Sequence, residues 1–306
     1  MNSLSKAQVR APCSTSNLGS GFDTLGLALD RHLRATFEPG GSELELVRTG
    51  TLSVLEEEPE RDLLAMTFDR FASEGDASPH GILRVHSDIP LKRGLGSSAA
   101  ALVAGHDLAL AALGRPSDPV AAFRYASHRE GHGDNAAPCA LGGFRAVVPS
   151  SDGPRPLALE LSRDVGFAYA APGVGLGTPE ARAALPRHVP HHTAVAALGR
   201  LAALLRGLAL GDPELIRVGV EDELHVPHRL PLIPGAFSAI SAGYDAGAWG
   251  VTISGSGSGL LALCAVEDAP GVASAMRTAF ALGAGEDSGC VGFELRPDFD
   301  GVARIA

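Results

Sequence analysis

Residues 90–110, PLKRGLGSSAAALVAGHDLAL, constrain this chain more than any other stretch. A strand over 82–87 is predicted to run through Pro90 into a glycine-serine loop. The Ala/Leu-rich run behind the loop predicts a helix over 98–112 that Gly114 ends. Gly94 and Gly96 lack a Cβ, so the backbone there can come close to a ligand. The free N–H groups of a helix N-terminus add partial positive charge, and the combination suits phosphate. It is not the GxxxxGK[ST] loop, because no lysine follows the second glycine, and the ordinary P-loop reading fails.

Elsewhere, short apolar stretches punctuated by Gly and Pro alternate with Ala/Leu-rich segments, so the class is mixed α and β. Further strands are expected over 9–12, 34–37 and 44–48, and helices over 63–73 and 119–129. The second of these helices is expected to be capped by Ser117, with Pro119 in its first turn. The polar, turn-rich SSDGPRP at 150–156 reads as a linker, which divides the chain into domains over 1–155 and 156–306. The second half predicts a strand over 165–171 and helices over 179–185, 194–210 and 234–243. It closes with strands over 250–254 and 259–266, a helix over 271–282 and a strand over 289–295. That order suits a two-layer α/β sandwich of the ferredoxin-like kind.

Composition excludes several functions. A formal net charge of −10 gives no broad footing for a nucleic-acid backbone or an anionic membrane, so any bound anion must be held by local groups. The most apolar long stretch, 194–210, is interrupted by Arg200 and Arg206 and reads as an amphipathic helix rather than a membrane span. The first residues contain no apolar core of a secretory signal, and a cytoplasmic location is expected. Cys13, Cys139, Cys264 and Cys290 show no CxxC or His spacing, which argues against zinc and against a disulfide framework. The glycines at 173, 175 and 177 and those at 255–259 lack the full GxGxxG spacing with a following acidic residue, so a dinucleotide site is rejected.

The loop motif GLGSSAA, standing after a proline, resembles the phosphate loop of the GHMP kinases. APCSTSNLGSGFDTLGLAL at 11–29 is similar to that superfamily's N-terminal motif in the form homoserine kinases carry. GVTISGSGSGLLAL at 250–263 is similar to its C-terminal glycine motif, although Ser258 stands where proline is usual and Gly259 where Ser or Thr is common. EGHGDNAAP at 130–138 resembles a segment typical of homoserine kinases in particular. The resemblance implies an α+β fold of two domains, the first like domain 2 of ribosomal protein S5 with a left-handed β-α-β crossover, the second ferredoxin-like. It also implies ATP and Mg2+ as cofactors and L-homoserine as the small-molecule partner, with no nucleic acid and no membrane. Relatives are often homodimers.

Carried over residue by residue, the resemblance assigns ATP binding to Pro90, Lys92, Arg93, Gly94, Leu95, Gly96, Ser97, Ser98, Ala99 and Ala100. Glu130 would ligate magnesium with a hydroxyl from Ser97 or Ser98, since that hard cation takes oxygen ligands and bridges nucleotide phosphates. Asn17, Asp23, His132, Asn135, Gly255 and Gly257 would surround the acceptor, with Asp23 on its ammonium and Asn135 on its reacting hydroxyl. TPEAR at 178–182 and HVPHRLPLIP at 225–234 supply Arg182 and Arg229, whose planar forks suit an α-carboxylate. Among Asn135, Glu130 and Asp134 as catalytic candidates, Asp134 could be a base or a positioning group, and the resemblance favours positioning and charge stabilisation. Two alternatives stay open: a related kinase for mevalonate, shikimate or a sugar, and a non-catalytic ATP-binding sensor of the same fold.

Overall fold

In the computed structural model, which describes residues 4–56, 58–74, 79–284 and 289–305, two sheets meet along a buried seam. Period-two burial builds the larger one. Val9 and Ala11 of β1 (Ala7–Ser16), Leu33, Ala35 and Phe37 of β2 (Leu25–Pro39), and Leu83 and Val85 of β4 (Gly81–Ser87) point to one core. The order is β11-β1-β2-β4-β3, where β3 is Leu44–Gly50 and β11 is the short Ala303–Arg304. The pair β3 and β4 is parallel and is joined by α1 (Leu63–Ser73), while β1, β2 and β4 pair antiparallel. Helices α2 (Ser97–Ala112), α3 (Pro119–Glu130) and α4 (Ala136–Leu141) follow β4.

The second sheet has the order β10-β7-β9-β8, antiparallel throughout. Its strands are β7 (Val165–Ala171), β8 (Gly250–Ile253), β9 (Leu260–Ala265) and β10 (Val291–Leu295). With α9 (Ala236–Asp245) before β8 and α10 (Ala269–Ala284) between β9 and β10, this is the expected ferredoxin-like topology. Phe167 and Tyr169 of β7 enter the large core while Ala168 and Ala170 enter the second. Burial on both faces explains why VGFAYAA and LLALCA read as unbroken apolar runs rather than alternating ones.

Three expectations change. SSDGPRP is not a linker: residues 151–153 turn the hairpin of β5 (Phe144–Val148) and β6 (Arg155–Ala158), both in the first sheet, and the crossing to the second lies between β6 and β7. The C-terminal segment also returns to the first sheet, where β11 pairs with β1 and His32 and Arg10 hold Asp298 at 2.8 and 3.1 Å. The cap of α3 is Asp118, which accepts from Ala121 N at 2.9 Å, whereas Ser117 donates to the buried Asp107 at 2.6 Å.

Between β7 and β8 the chain forms α5 (Thr178–Ala183), α6 (His191–Leu210), α7 (Pro213–Val220) and α8 (Val226–Arg229). By length and composition α6 could cross a membrane, and Val195 and Leu198 on it are exposed. Here it packs along α7, burying Leu204 and Leu208, and Arg200 pairs with Glu223 at 2.8 Å.

Candidate active site

The three glycine-bearing loops converge because glycine lets their backbones touch. A Cβ on Gly94 would stand 1.9 Å from Ser254 O, and one on Gly96 would stand 2.3 Å from Ser14 Oγ and 3.0 Å from Asn135 Oδ1. Both glycines have positive φ, 77° and 60°. Ser254 Oγ donates to Gly94 O at 2.7 Å, and Gly255 N donates to Ser16 O at 3.1 Å. The phosphate-loop candidate, the N-terminal motif and the C-terminal glycine motif therefore form one wall around a cleft of ≈ 430 Å³.

Gly96 precedes α2 and no side chain caps that helix among the described residues. Its first intrahelical backbone bond runs from Ala100 N to Gly96 O, so the N–H groups ahead of it point out of the helix end as anion donors. Pro90, Lys92, Arg93, Gly94, Leu95, Gly96, Ser97 and Ser98 line the cleft. Ala99 and Ala100 do not: their side chains are buried in the core behind the loop. The Arg93 guanidinium is committed elsewhere, donating to Gly173 O at 2.9 Å and Gly289 O at 3.2 Å.

Glu130, at the last position of α3, meets Ser98 rather than Ser97: the Ser98 hydroxyl donates to its Oε1. Its Oε2 is buried with no hydrogen-bond partner among the described residues, and burial pushes the carboxyl above its ordinary range, partly offset by Ser98. An unsatisfied buried carboxylate oxygen is costly unless a cation or a proton completes it. No group of three or more His, Cys, Asp and Glu side chains is arranged to hold a metal ion by itself among the described residues. Magnesium carried on phosphates needs no such cage, so Glu130 and Ser98 fit it.

Asp134 is almost wholly buried and its Oδ1 accepts from His132 Nδ1 at 2.6 Å and from Asn135 N at 3.0 Å. The hydrogen bond to Asp134 raises the His132 pKa, and Nε2 remains as the ring's other polar atom. Asn135 accepts from Ser14 Oγ at 3.0 Å and donates to Ser16 Oγ at 2.9 Å, while Asn17 donates to Gly255 O at 2.7 Å and accepts from Asp23 N at 2.9 Å. Both amides thus hold scaffold as well as lining the cleft.

Charge is concentrated on one wall. Asp23 and Arg182 form a two-point pair at 2.8 and 3.0 Å, each side chain a little over one third exposed. Arg229 is buried at 2% exposure; its Nε donates to Ala181 O at 3.2 Å, and burial together with neighbouring Arg182 lowers its pKa. Gly255, Gly257 and Ser256 complete this end, with Ser256 Oγ 3.1 Å from Thr178 Oγ1. Ser258, the departure from the motif, is buried and donates to Val174 O at 2.6 Å.

The opposite end was missed by sequence reasoning. Leu52, Leu55, Leu64 and Leu91 line it, beside Asp62, which caps α1 through Leu64 N and Ala65 N at 2.9 Å and pairs with Arg48 at 3.1 Å. An apolar lining assembled from a 3-10 turn (Thr51–Val54), a helix start and the turn after Pro90 leaves no contiguous motif. The only local signal was Asp62 ahead of an apolar run.

Comparison with known proteins agrees with this geometry. The GHMP kinases N terminal domain matches residues 62–143 and the GHMP kinases C terminal domain matches residues 201–282. The chain belongs to the GHMP kinases. Within them it belongs to the homoserine kinase family: it is 40% identical to the homoserine kinase of a Synechococcus strain over 89% of this chain and 88% of that one. It is also 40% identical to the homoserine kinase of Gloeobacter violaceus over 88% and 91% of the two chains. The crystal structure of homoserine kinase from Cytophaga hutchinsonii superposes with a TM-score of 0.85 at 29% identity, covering 98% of this chain and 97% of that one. Leishmania major mevalonate kinase, at 13% identity and a TM-score of 0.69 over 97% and 98%, shares the fold alone.

Proposed function

We propose that this chain transfers the γ-phosphoryl group of ATP to the side-chain hydroxyl of L-homoserine, giving ADP and O-phospho-L-homoserine for threonine biosynthesis. The observation that carries the choice of acceptor is the wall of Asp23, Arg182 and Arg229. One carboxylate beside two guanidinium groups complements an α-amino acid zwitterion, whereas mevalonate or a neutral sugar would leave charge unmatched. The N-terminus of α2 and its loop suit the phosphates, and the leucine-lined end suits the adenine base.

Glu130 and Ser98 would hold magnesium, which when bound offsets charge on the phosphoryl oxygens. Asp134 is occupied by His132 and Asn135, which supports positioning rather than proton abstraction. Asn135 would orient the acceptor hydroxyl toward the phosphate, and the work of the protein is alignment and electrostatic stabilisation. A cytoplasmic location goes with this reading, since the buried thiols of Cys13, Cys139 and Cys264 suit a reducing compartment. The test is ADP release with ATP, magnesium and each of L-homoserine, mevalonate, galactose and no acceptor. Turnover only with L-homoserine is expected; equal turnover with mevalonate or galactose overturns the acceptor, and none with any acceptor overturns the kinase.

A further inference from the structure

A buried imidazole stands behind the acceptor wall. His225 is wholly buried just ahead of α8, with its backbone N–H held by Asp222 Oδ2 at 2.7 Å. Its ring stacks on Phe22 with centroids 4.9 Å apart and planes 20° from parallel. Each ring nitrogen has a partner of fixed polarity. Nε2 lies 3.1 Å from Gly19 O, which can only accept, so Nε2 carries the proton. Nδ1 lies 3.3 Å from Arg229 Nη1, which can only donate, so Nδ1 is the bare acceptor. One neutral tautomer meets both needs, and an imidazolium would turn a second N–H against the guanidinium.

The two groups joined by this ring are the two that need support. The loop carrying Asp23 holds Asn17, Leu18, Gly19 and Asp23 at positive φ, 73°, 49°, 79° and 51°. Three of those are not glycine, a conformation that persists only where the surroundings over-determine it. Val220 closes one side of the loop, since a Cβ on Gly19 would stand 2.1 Å from its carbonyl oxygen. His225 closes another. On its other edge, Arg229 has given up bulk solvent and is oriented by Ala181 O, by His225 Nδ1 and by the face of Phe22.

We propose that His225 is a positioning residue for the acceptor site, setting the Gly19–Asp23 loop and the Arg229 guanidinium in register through opposite edges of one ring. The proposal rests on the acceptor reading above. Burial, with a further contribution from Arg229, pushes His225 down to about 4 despite the nearby carboxylates of Asp222 and Asp23, which keeps the ring in the neutral form that the two bonds require.

The test uses His225→Asn, which retains an acceptor near Nδ1 but cannot reach Gly19, and His225→Gln, which reaches Gly19 but offers Arg229 no acceptor. Each should raise KM for L-homoserine about 3-fold to 10-fold, the loss of one hydrogen bond, and leave KM for ATP unchanged. On an Arg229→Ala background the His225→Gln effect should vanish. A role confined to stability would lower Tm and the active fraction while KM for L-homoserine stayed at the native value in the folded enzyme, and that result overturns the proposal. Side-chain 15N shifts of the native enzyme supply a readout that needs no variant. The neutral Nε2–H pattern at pH 7 is expected, and the Nδ1–H or doubly protonated pattern overturns it. Failure of native turnover with L-homoserine would instead strike the acceptor reading, and the 15N pattern would still decide the tautomer.

Discussion

The sharpest perturbation of the acceptor site is Asp23→Asn. Asparagine is chosen because residue 23 sits at φ 51°, a region asparagine enters nearly as readily as aspartate, so the loop is preserved. Asp23 and Arg182 satisfy each other at 2.8 and 3.0 Å. A zwitterion can replace both halves of that pair at once, its ammonium taking Asp23 and its carboxylate taking Arg182. An acceptor with a carboxylate alone, 4-hydroxybutyrate, must break the pair and leave Asp23 unmatched.

Loss of Asp23 removes a hydrogen bond between charged groups, about 1.5–3 kcal/mol, offset in part because the pair with Arg182 no longer has to be broken, so KM for L-homoserine should rise roughly 2-fold to 100-fold. The pair is over one third exposed, so breaking it costs only about 0.2–1 kcal/mol. For 4-hydroxybutyrate KM should therefore fall by roughly 1.5-fold to 5-fold in the variant. Steady-state kinetics with both acceptors at saturating ATP read the two shifts, and selectivity for the amino acid should drop at both ends. An equal rise of KM for both acceptors would refute the exchange of partners. A change in KM for ATP alone would move Asp23 out of the acceptor site altogether.

Glu130→Gln should lower kcat about 100-fold or more while weakening nucleotide binding far less, read by turnover and by calorimetry with ATP. In the absence of divalent cations the same variant should gain Tm relative to the native enzyme as pH rises from 4 to 8. The native carboxyl, raised by burial, binds its proton more tightly folded than unfolded, so native stability falls as pH rises through that raised value. Ser258→Ala should cost about 1 kcal/mol in denaturant unfolding through loss of the bond to Val174 O, and leave kcat near native. His225 gives the opposite pH sense: held at about 4 against an ordinary 6.5, it stays neutral while the unfolded chain protonates. Its full contribution is present above pH 6.5 and is lost as pH falls toward 4, on the order of 3 kcal/mol, so the acid loss of Tm should be smaller in His225→Gln.

The legible parts of this molecule were those in which function or burial is written into consecutive residues. GLGSSAA announced both the loop and the helix behind it, and helix 63–73 was placed to the residue, where the structure shows Asp62 capping the apolar run. The strand 165–171 was equally plain, since burial on both faces leaves no polar interruption. The hairpin of β5 and β6 was hidden because SSDGPRP has the composition of a linker and a turn alike, and only strand pairing tells them apart. Ser117 lost the cap to its neighbour Asp118 because buried Asp107 needed a donor, a need that local propensity does not contain. The site residues appeared as candidates through resemblance; the pairing of Asp23 with Arg182 across 159 positions, and the leucines of the far end, had no local trace.

The same distinction explains why the two halves of the cleft differ in chemistry. At the proposed phosphate end the donors would be backbone N–H groups of α2, fixed by the helix and independent of side-chain identity, and Glu130 there carries an oxygen with no hydrogen-bond partner among the described residues. At the acceptor end every charged group already has a protein partner: Asp23 has Arg182, Arg229 has Ala181 and His225, and Asp134 has His132. A site of the first kind gains a full new interaction when its ligand arrives, whereas one of the second kind gains only the difference between old and new partners. A net charge of −10 requires strong local donors for a polyanion, and the first arrangement meets that need. For a small zwitterion the second arrangement converts affinity into discrimination, because an acceptor lacking either charge leaves one member of an existing pair exposed and unmatched.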